Sequence, residues 1–161
     1  MTLRRTVASI AALLFAAGAA VAQSSAKKVD SADLKEIRDY RLNMDNVQKF
    51  VRVVKAGMND EGAKKCFHDN EPGNAQSLDA GEKVINSCPA AVTLLKANGL
   101  KPREFLVALA AIIGDFTAVS MKKSGAIKEY PPAILPENAA FIEQNYDKLQ
   151  AMLAPLQGDD K

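Results

Sequence analysis

Apolar residues in this chain recur every three or four positions, and no strand-length run alternates apolar with polar residues. A spacing of three or four places apolar side chains on one face of an α-helix, whereas a half-buried strand needs a period of two. The sequence therefore predicts an all-α fold, a single-domain bundle of four to five antiparallel helices.

The longest predicted helix spans residues 102–123 and starts at Pro102, a residue type favoured in the first turn of a helix. Its most apolar part, Phe105–Met121, has seventeen residues and contains Gly114 and Asp115. A membrane-spanning helix needs about 20 apolar residues, so the sequence predicts a core helix rather than a membrane span. At 1.5 Å per residue the whole helix would be about 33 Å long.

Two stripes run along this helix. The predicted core face consists of Phe105, Leu109, Ile112, Phe116 and Val119. The other stripe consists of Glu104, Ala108, Ala111, Asp115, Ala118 and Lys122. We interpret the second stripe as a solvated face or a close helix contact with polar edges, on which replacing Asp115 by asparagine would be nearly silent. A buried carboxylate there would instead have a raised pKa and could take part in acid chemistry.

Capping residues delimit the other predicted helices. Ser31 is expected to cap a short helix carrying Leu34 and Ile37. Asn43 is expected to cap a helix to Met58. The predicted inward face of that helix consists of Met44, Val47, Val51, Val54 and Met58.

The second half of the chain carries similar signals. Ser77 is expected to cap a short helix with Leu78, Val84, Ile85 and Cys88 inward. Pro89 either kinks that helix or opens a second segment, which carries Val92 and Leu95 and ends at Asn98-Gly99. Glu137 is expected to open the last helix, whose predicted buried stripe consists of Ile142, Tyr146, Leu149, Leu153 and Leu156.

Two segments have the composition of loops. Residues 59–76 are rich in glycine, proline and asparagine, and they contain Cys66 and His68. Ser124-Gly125 should end the long helix, and Pro131-Pro132 should keep the following segment extended or turning.

The N-terminus has the pattern of a signal peptide. Arg4 and Arg5 precede an apolar run, and residues 20–22 form a small-x-small cleavage site, which predicts cleavage after Ala22 and a periplasmic or secreted protein. The predicted organisation is a signal peptide (1–22), a flexible lead-in with a short helix (23–42), a helical bundle domain (43–157) and a disordered tail (158–161). No transmembrane segment is expected after cleavage.

The charge balance argues against nucleic acid as a partner. The chain has 21 basic and 19 acidic residues, and the surplus is the two arginines of the predicted signal peptide. The mature chain of about 139 residues is thus neutral, and its basic residues are interleaved with acids. Nucleic-acid binding needs clustered cations that release counterions.

The two cysteines are the strongest chemical feature. An exported chain meets an oxidising compartment, so the pair Cys66 and Cys88 predicts a disulfide. Closing a ring of about 23 residues should stabilise the fold by about 3 kcal/mol in the chain-entropy account. Two free buried thiols are the alternative.

His68 is the only histidine of the sequence, and we interpret it as an exposed loop residue rather than a ligand. The alternative is a bundle that binds haem, metal or a small apolar ligand, in which His68 would act with one of the methionines Met44, Met58, Met121 or Met152. Asn138 and Asn145 partly face the predicted core, where buried amides need hydrogen-bond partners.

The sequence contains no nucleophile elbow, zinc-protease motif or phosphate-binding glycine loop. The segments GLKPREF (residues 99–105) and PENAAF (136–141) resemble those of short exported α-helical proteins of bacteria, whose function is uncharacterised. That resemblance implies an envelope location and a helical fold, but no activity. The expected function is therefore a non-enzymatic binding or structural module, with an unknown protein or small-molecule partner and no predicted cofactor, metal or catalytic residue.

Overall fold

The chain folds into helices throughout the part that the computed structural model describes, residues 31–70, 75 and 77–156. These residues form eight α-helices and contain no β-strand. In chain order the helices are α1 (Ser31–Asp39), α2 (Met44–Asn59), α3 (Glu61–Asn70), α4 (Leu78–Asn86), α5 (Pro89–Ala97), α6 (Pro102–Lys123), α7 (Pro136–Gln144) and α8 (Tyr146–Leu153), and a 3₁₀ turn (Ala154–Leu156) follows. The predicted all-α fold is confirmed, whereas the predicted number of four to five helices is not.

One extra helix forms where the sequence predicted a loop. Helix α3 covers much of residues 59–76, so the loop prediction is wrong for Cys66 and His68. Asp60 separates α2 from α3, and its Oδ1 accepts a hydrogen bond from the Ala63 amide at 2.7 Å. Such a carboxylate satisfies an amide that has no partner within the helix. Ala63 is fully buried, and its packing holds the first turn of α3 in place.

Two breaks account for the other additional helices. Pro89 opens α5, and Cys88 before it has an extended backbone, so the second of the two predicted alternatives is observed. Asn145 interrupts the predicted last helix, because its backbone leaves the helical region and its amide bonds back to Phe141 and Ile142. The predicted single stripe of this segment is therefore divided between α7, α8 and the final 3₁₀ turn.

Several predicted helix ends are confirmed. Asn43 and Asn46 form a reciprocal capping box at the start of α2, with both hydrogen bonds at 3.0 Å. Ser77 accepts the Ala80 amide at 3.1 Å at the start of α4. Gly99 and Gly125 follow α5 and α6 with φ angles of 70° and 78°, a conformation that glycine adopts without steric cost.

The long helix has the predicted bounds, but its buried face is wider than the predicted one and includes part of the second stripe. The buried residues of α6 are Val107, Ala108, Ala111, Ile112, Asp115, Ala118 and Val119. Phe105, Leu109 and Phe116 are only half-buried. The predicted solvated face is thus wrong over the middle of the helix, because Ala108 and Ala111 pack in one core with residues of α2 and α7. Small side chains there permit the close helix contact that was the alternative interpretation.

Helix α6 is both long and apolar. Eighteen consecutive residues of this 22-residue helix have a mean hydropathy of 1.7, which makes it the one helix of the described part that is long and apolar enough to cross a membrane by length and composition alone. Core helices of soluble domains pass the same test, and here α6 packs against α1, α2, α4, α5 and α7.

Two groups of buried side chains form the interior. The larger core includes Leu42, Val47, Phe50, Val51, Ala108, Ala111, Ile112, Val119, Ala139, Ile142 and Leu149. The smaller core includes Val53, Ile85, Cys88, Ala91, Leu95 and Leu100. Phe105 packs against both cores and stacks on Phe50 with the ring centroids 5.3 Å apart. Met58, which was predicted to face inward, is instead 38% exposed, and Leu34 of α1 is 54% exposed.

The proline-containing segment after α6 is non-helical, as predicted, and aromatic and charged side chains hold it in place. Tyr130 donates a hydrogen bond to Glu143 on α7, and Lys122 lies 4.0 Å above the Tyr130 ring. Burial, followed by the Glu143 carboxylate, raises the pKa of Tyr130 to about 12. The hydrogen bond from Tyr130 in turn lowers the pKa of Glu143.

The two cysteines lie together as predicted. The Sγ atoms of Cys66 and Cys88 are 2.21 Å apart, at disulfide distance, with their Cα atoms 5.8 Å apart. The pair joins α3 to the start of α5. The predicted signal peptide (1–22) and tail (158–161) lie outside the described residues.

Replacing both cysteines by alanine is expected to lower the free energy of unfolding by about 3 kcal/mol, because the unfolded chain regains the entropy that the crosslink removes. Urea denaturation of the variant and the wild type measures this loss. The mass of the wild-type chain should rise by two hydrogens on reduction. Equal masses with and without reductant would refute the disulfide.

Candidate functional site

Arg103, the second residue of α6, lies among carboxylates from α1 and α4. Its Nε donates to both oxygens of Glu36 at 3.0 and 2.9 Å, and its Nη2 donates to Glu36 at 2.7 Å and to Asp33 at 3.3 Å. Its Nη1 donates to Asp79 and lies 3.9 Å from Glu82. We call these five residues the Arg103 cluster. The Glu36 and Asp79 carboxylates raise the pKa of Arg103, so its charge is permanent.

Two helix starts explain how four carboxylates coexist with one guanidinium. Helices α4 and α6 both begin at the cluster, and a helix N-terminus carries roughly half a positive charge. Asp33 lies at one of these N-termini, where its Oδ2 accepts a hydrogen bond from the amide of Leu78, the first residue of α4, at 2.9 Å. The Asp33 side chain is buried, with one oxygen on this amide and the other on Arg103. The cluster thus connects α1, α4 and α6.

A cleft of about 360 Å³ opens beside the cluster. It is lined by Glu36, Tyr40, Glu82, Lys101, Arg103, Glu104 and Val107. Burial, followed by the Glu104 carboxylate, raises the pKa of Tyr40, so its phenol stays protonated at neutral pH. The volume of the cleft lies within the range of roughly 300–1,000 Å³ that is typical of small-molecule pockets.

The cleft is lined mainly by charged and polar side chains. None of its lining residues is a serine, cysteine or histidine, the side chains that most often act as nucleophile or base. Within the described residues, no three His, Cys, Asp or Glu side chains come together in a way that could hold a metal ion. The carboxylates of Asp33, Glu36 and Asp79 contact the Arg103 guanidinium.

A second polar group lies inside the domain, where Asn138 of α7 meets Asp115 of α6. Asn138 is 1% exposed, and its Nδ2 donates to Asp115 Oδ2 at 2.7 Å and to the Tyr40 carbonyl at 2.8 Å. Its Oδ1 accepts the Leu42 amide at 2.8 Å. Every hydrogen-bonding atom of this amide is thus used. Burial raises the pKa of Asp115, and the hydrogen bond from Asn138 opposes that rise.

Replacing Asp115 by asparagine is expected to change how stability depends on pH. Because the folded-state pKa of Asp115 is raised, the folded state binds more protons than the unfolded state between the two pKa values. Its contribution to stability is therefore complete below the unfolded pKa and is lost as pH rises through the folded pKa. Urea denaturation between pH 3 and 8 should show that the free energy of unfolding of the variant increases relative to that of the wild type as pH rises.

Glu104→Gln is a matched control for this experiment, because Glu104 lies on the same helix and is less buried than Asp115. A stability difference between Asp115→Asn and the wild type that stays constant over the whole pH range would contradict the buried placement of this carboxylate. A nearly silent substitution at every pH would instead agree with the solvated face predicted from the sequence.

The four methionines proposed for the haem or metal alternative differ in their surroundings. Met121 is 42% exposed on α6, and Met58 is exposed at the end of α2, whereas Met44 and Met152 pack against the larger core. His68 lies in α3, where only its backbone is described.

The larger core encloses a small apolar void. It has a volume of about 10 Å³ and is lined by Leu42, Val47, Ile112, Phe116, Phe141, Ile142, Leu149 and Leu153. A cavity needs roughly 10–15 Å³ to hold a single water molecule. This void therefore does not fit haem or an apolar ligand.

Sequence reasoning missed the Arg103 cluster and the burial of Asp33. Arg103 appears in the quoted segment GLKPREF, but nothing near it in sequence indicates partners that lie 67 and 70 residues away. The buried amide Asn138 was noticed because its position faces the core. Its bond to Asp115 depends on how α6 and α7 pack.

Comparison with known proteins adds no family to these observations, because no protein-family model, curated protein or solved structure matches the chain. The resemblance of residues 99–105 and 136–141 to exported helical proteins thus stays a prediction.

Proposed function

We propose that this chain is an exported, non-enzymatic helical module of the bacterial envelope, which acts by binding a partner or as a structural element. The observation that carries this proposal is that Arg103 and Asp115 are engaged in contacts within the fold. Arg103 and its carboxylates join three helices, and Asp115 is bonded to a fully buried amide. Groups committed in this way stabilise a fold and are poorly available for proton transfer or nucleophilic attack.

The proposal of export is supported by the sequence pattern of residues 1–22 and by the cysteine pair. Disulfides form and persist in oxidising compartments such as the periplasm. Cys66 and Cys88 lie at disulfide distance and connect α3 to α5. A crosslink of this kind suits a domain that works outside the cytoplasm.

Expression of the full chain in a bacterium tests the export proposal. Fractionation should recover a periplasmic or secreted product that begins at Gln23 and carries the disulfide. The Arg4/Arg5 pair offers a control, because replacing both by glutamate should retain the uncleaved chain in the cytoplasm. An uncleaved wild-type chain in the cytoplasm would refute export.

A panel of chromogenic ester, phosphate, glycoside and peptide substrates tests the non-enzymatic part. The purified chain is expected to give the same rates as buffer. Turnover that disappears in one point variant, such as Asp115→Asn or Glu104→Gln, would show an enzyme and overturn this part of the proposal.

The alternative, a bundle that binds haem, metal or a small apolar ligand, is tested separately. Native mass spectrometry of the protein purified from its own host should give the bare mass of the mature chain, with no visible absorbance. A stoichiometric mass increment or a haem spectrum would favour the alternative.

A further inference from the structure

We propose that α1 is a lid on the cleft beside Arg103, latched by that arginine and hinged between Asp39 and Tyr40. In this proposal α1 undocks and unfolds locally while α2 to α8 stay folded. The inference does not depend on what the cleft binds, because it concerns how one wall of the cleft is held.

The contacts of α1 with the domain are mainly polar. Asp33 is the one buried residue among its nine, and Leu34 on the same helix is 54% exposed. Ile37 is half-buried and packs against the larger core. A helix held by so little apolar surface depends on its charged contacts, and those are weakened by salt.

Arg103 supplies those contacts and can release them without becoming unpaired. Its guanidinium binds Glu36 and Asp33 of α1, while its Nη1 binds Asp79 of α4 and lies near Glu82. When α1 leaves, the α4 carboxylates still neutralise the arginine. The Leu78 amide, released from Asp33, lies at a helix N-terminus that water can reach once α1 has gone.

The hinge is set by Asn138. This buried side chain holds the Tyr40 carbonyl and the Leu42 amide, each at 2.8 Å, and the capping box of Asn43 and Asn46 follows directly. From Tyr40 onward the chain is therefore fixed to α7 and α2. Before Tyr40, the Arg103 cluster is the main polar attachment.

Undocking would widen the cleft. Glu36 forms its α1 wall, whereas Tyr40, Lys101 and Val107 belong to the parts that stay in place. An isolated helix shorter than about 12–15 residues is marginal in water, so the nine-residue α1 should lose its helical hydrogen bonds once it undocks. The amides of residues 35–39 then exchange with solvent and report the open state.

Hydrogen exchange of the mature chain, followed by mass spectrometry, tests the lid. Exchange in residues 35–39 is expected to rise about threefold in Glu36→Gln, a typical effect for one exposed ion pair. In Arg103→Gln, which removes both attachments, we expect a rise of about tenfold. Raising NaCl to about 1 M should accelerate the same amides in the wild type, since screening then acts within about 3 Å.

Arg38→Gln is the matched control, because Arg38 lies on α1 but pairs with Asp39 outside the cluster. Its exchange should equal that of the wild type, and α7 should keep its protection in Glu36→Gln. Unchanged exchange of residues 35–39 in Glu36→Gln, or a parallel rise in α7, would overturn the proposal. A parallel rise would mean that α1 opens only when the whole domain unfolds.

Discussion

Replacing Asn138 by alanine is expected to lower the free energy of unfolding by about 3–5 kcal/mol. The substitution removes an amide that is 1% exposed and bonds three groups: the Leu42 amide, the Tyr40 carbonyl and the Asp115 carboxylate. Each group would be left without its partner in a place with little access to water, and a buried polar group without a partner costs about 1–3 kcal/mol. Urea denaturation monitored by circular dichroism measures the loss.

Asn145→Ala is the control for this prediction. Asn145 is half-buried and donates one side-chain hydrogen bond, to the Phe141 carbonyl at 2.8 Å. Its loss should cost about 1 kcal/mol or less. Equal effects of the two substitutions would contradict the central role of Asn138.

A double-mutant cycle separates the contribution of the hydrogen bond between Asn138 and Asp115 from that of the other hydrogen bonds of Asn138. Asp115→Ala should cost less in the Asn138→Ala background than in the wild type, because the carboxylate has already lost its donor. The coupling between the two residues is expected to be about 1–3 kcal/mol. Strict additivity would show that the 2.7 Å contact contributes nothing to stability.

Replacing Ile112 by alanine is expected to cost about 2–5 kcal/mol. Ile112 is 3% exposed at the centre of α6 and lines the void of about 10 Å³ in the larger core. Truncation enlarges that void, because the surrounding helices can collapse only in part. The expected loss therefore combines the transfer of apolar atoms with the cost of a cavity, and urea denaturation again measures it.

Ile113 offers a matched comparison, since it is the next residue of the same helix and is only half-buried. Ile113→Ala should cost clearly less than Ile112→Ala. The enlarged cavity of the Ile112 variant should also take up xenon, which apolar cavities of this kind bind. A small loss at Ile112 that matches the loss at Ile113 would contradict the central position of Ile112.

The helix ends that could be predicted are those that depend on neighbouring residues. Asn43, Ser77 and Gly99 act on backbone groups within three or four positions, so their effects are visible in the sequence. Helix α3 was missed because its turn-favouring residues outweighed the local capping signal of Asp60. The break at Asn145 was missed because asparagine, although a weak helix former, does not by itself end a helix.

The burial of α6 shows the limit of periodicity. The pattern identified two stripes, and it assigned the core to the one with the larger apolar residues. The structure buries the alanine stripe together with Asp115 because α7 approaches closely there. How far the buried face extends around the helix depends on a partner helix that is distant in sequence.

The candidate sites also differ in whether the sequence predicts them. The cysteine pair could be predicted because two cysteines in one chain allow only one pairing. The Arg103 cluster could not, since its carboxylates come from positions 33, 36, 79 and 82 and meet only when α1 and α4 pack beside α6.

By itself the sequence determined the all-α class, the bounds of α6 and several helix caps, because these follow from local hydrogen bonding and apolar spacing. Only the tertiary structure decided that Asp33 and Asp115 are buried, that Arg103 joins three helices and that Asn138 fixes the chain at Tyr40. The physical reason is that burial and ion pairing require two elements in contact, and the sequence of one element does not show which other element it contacts.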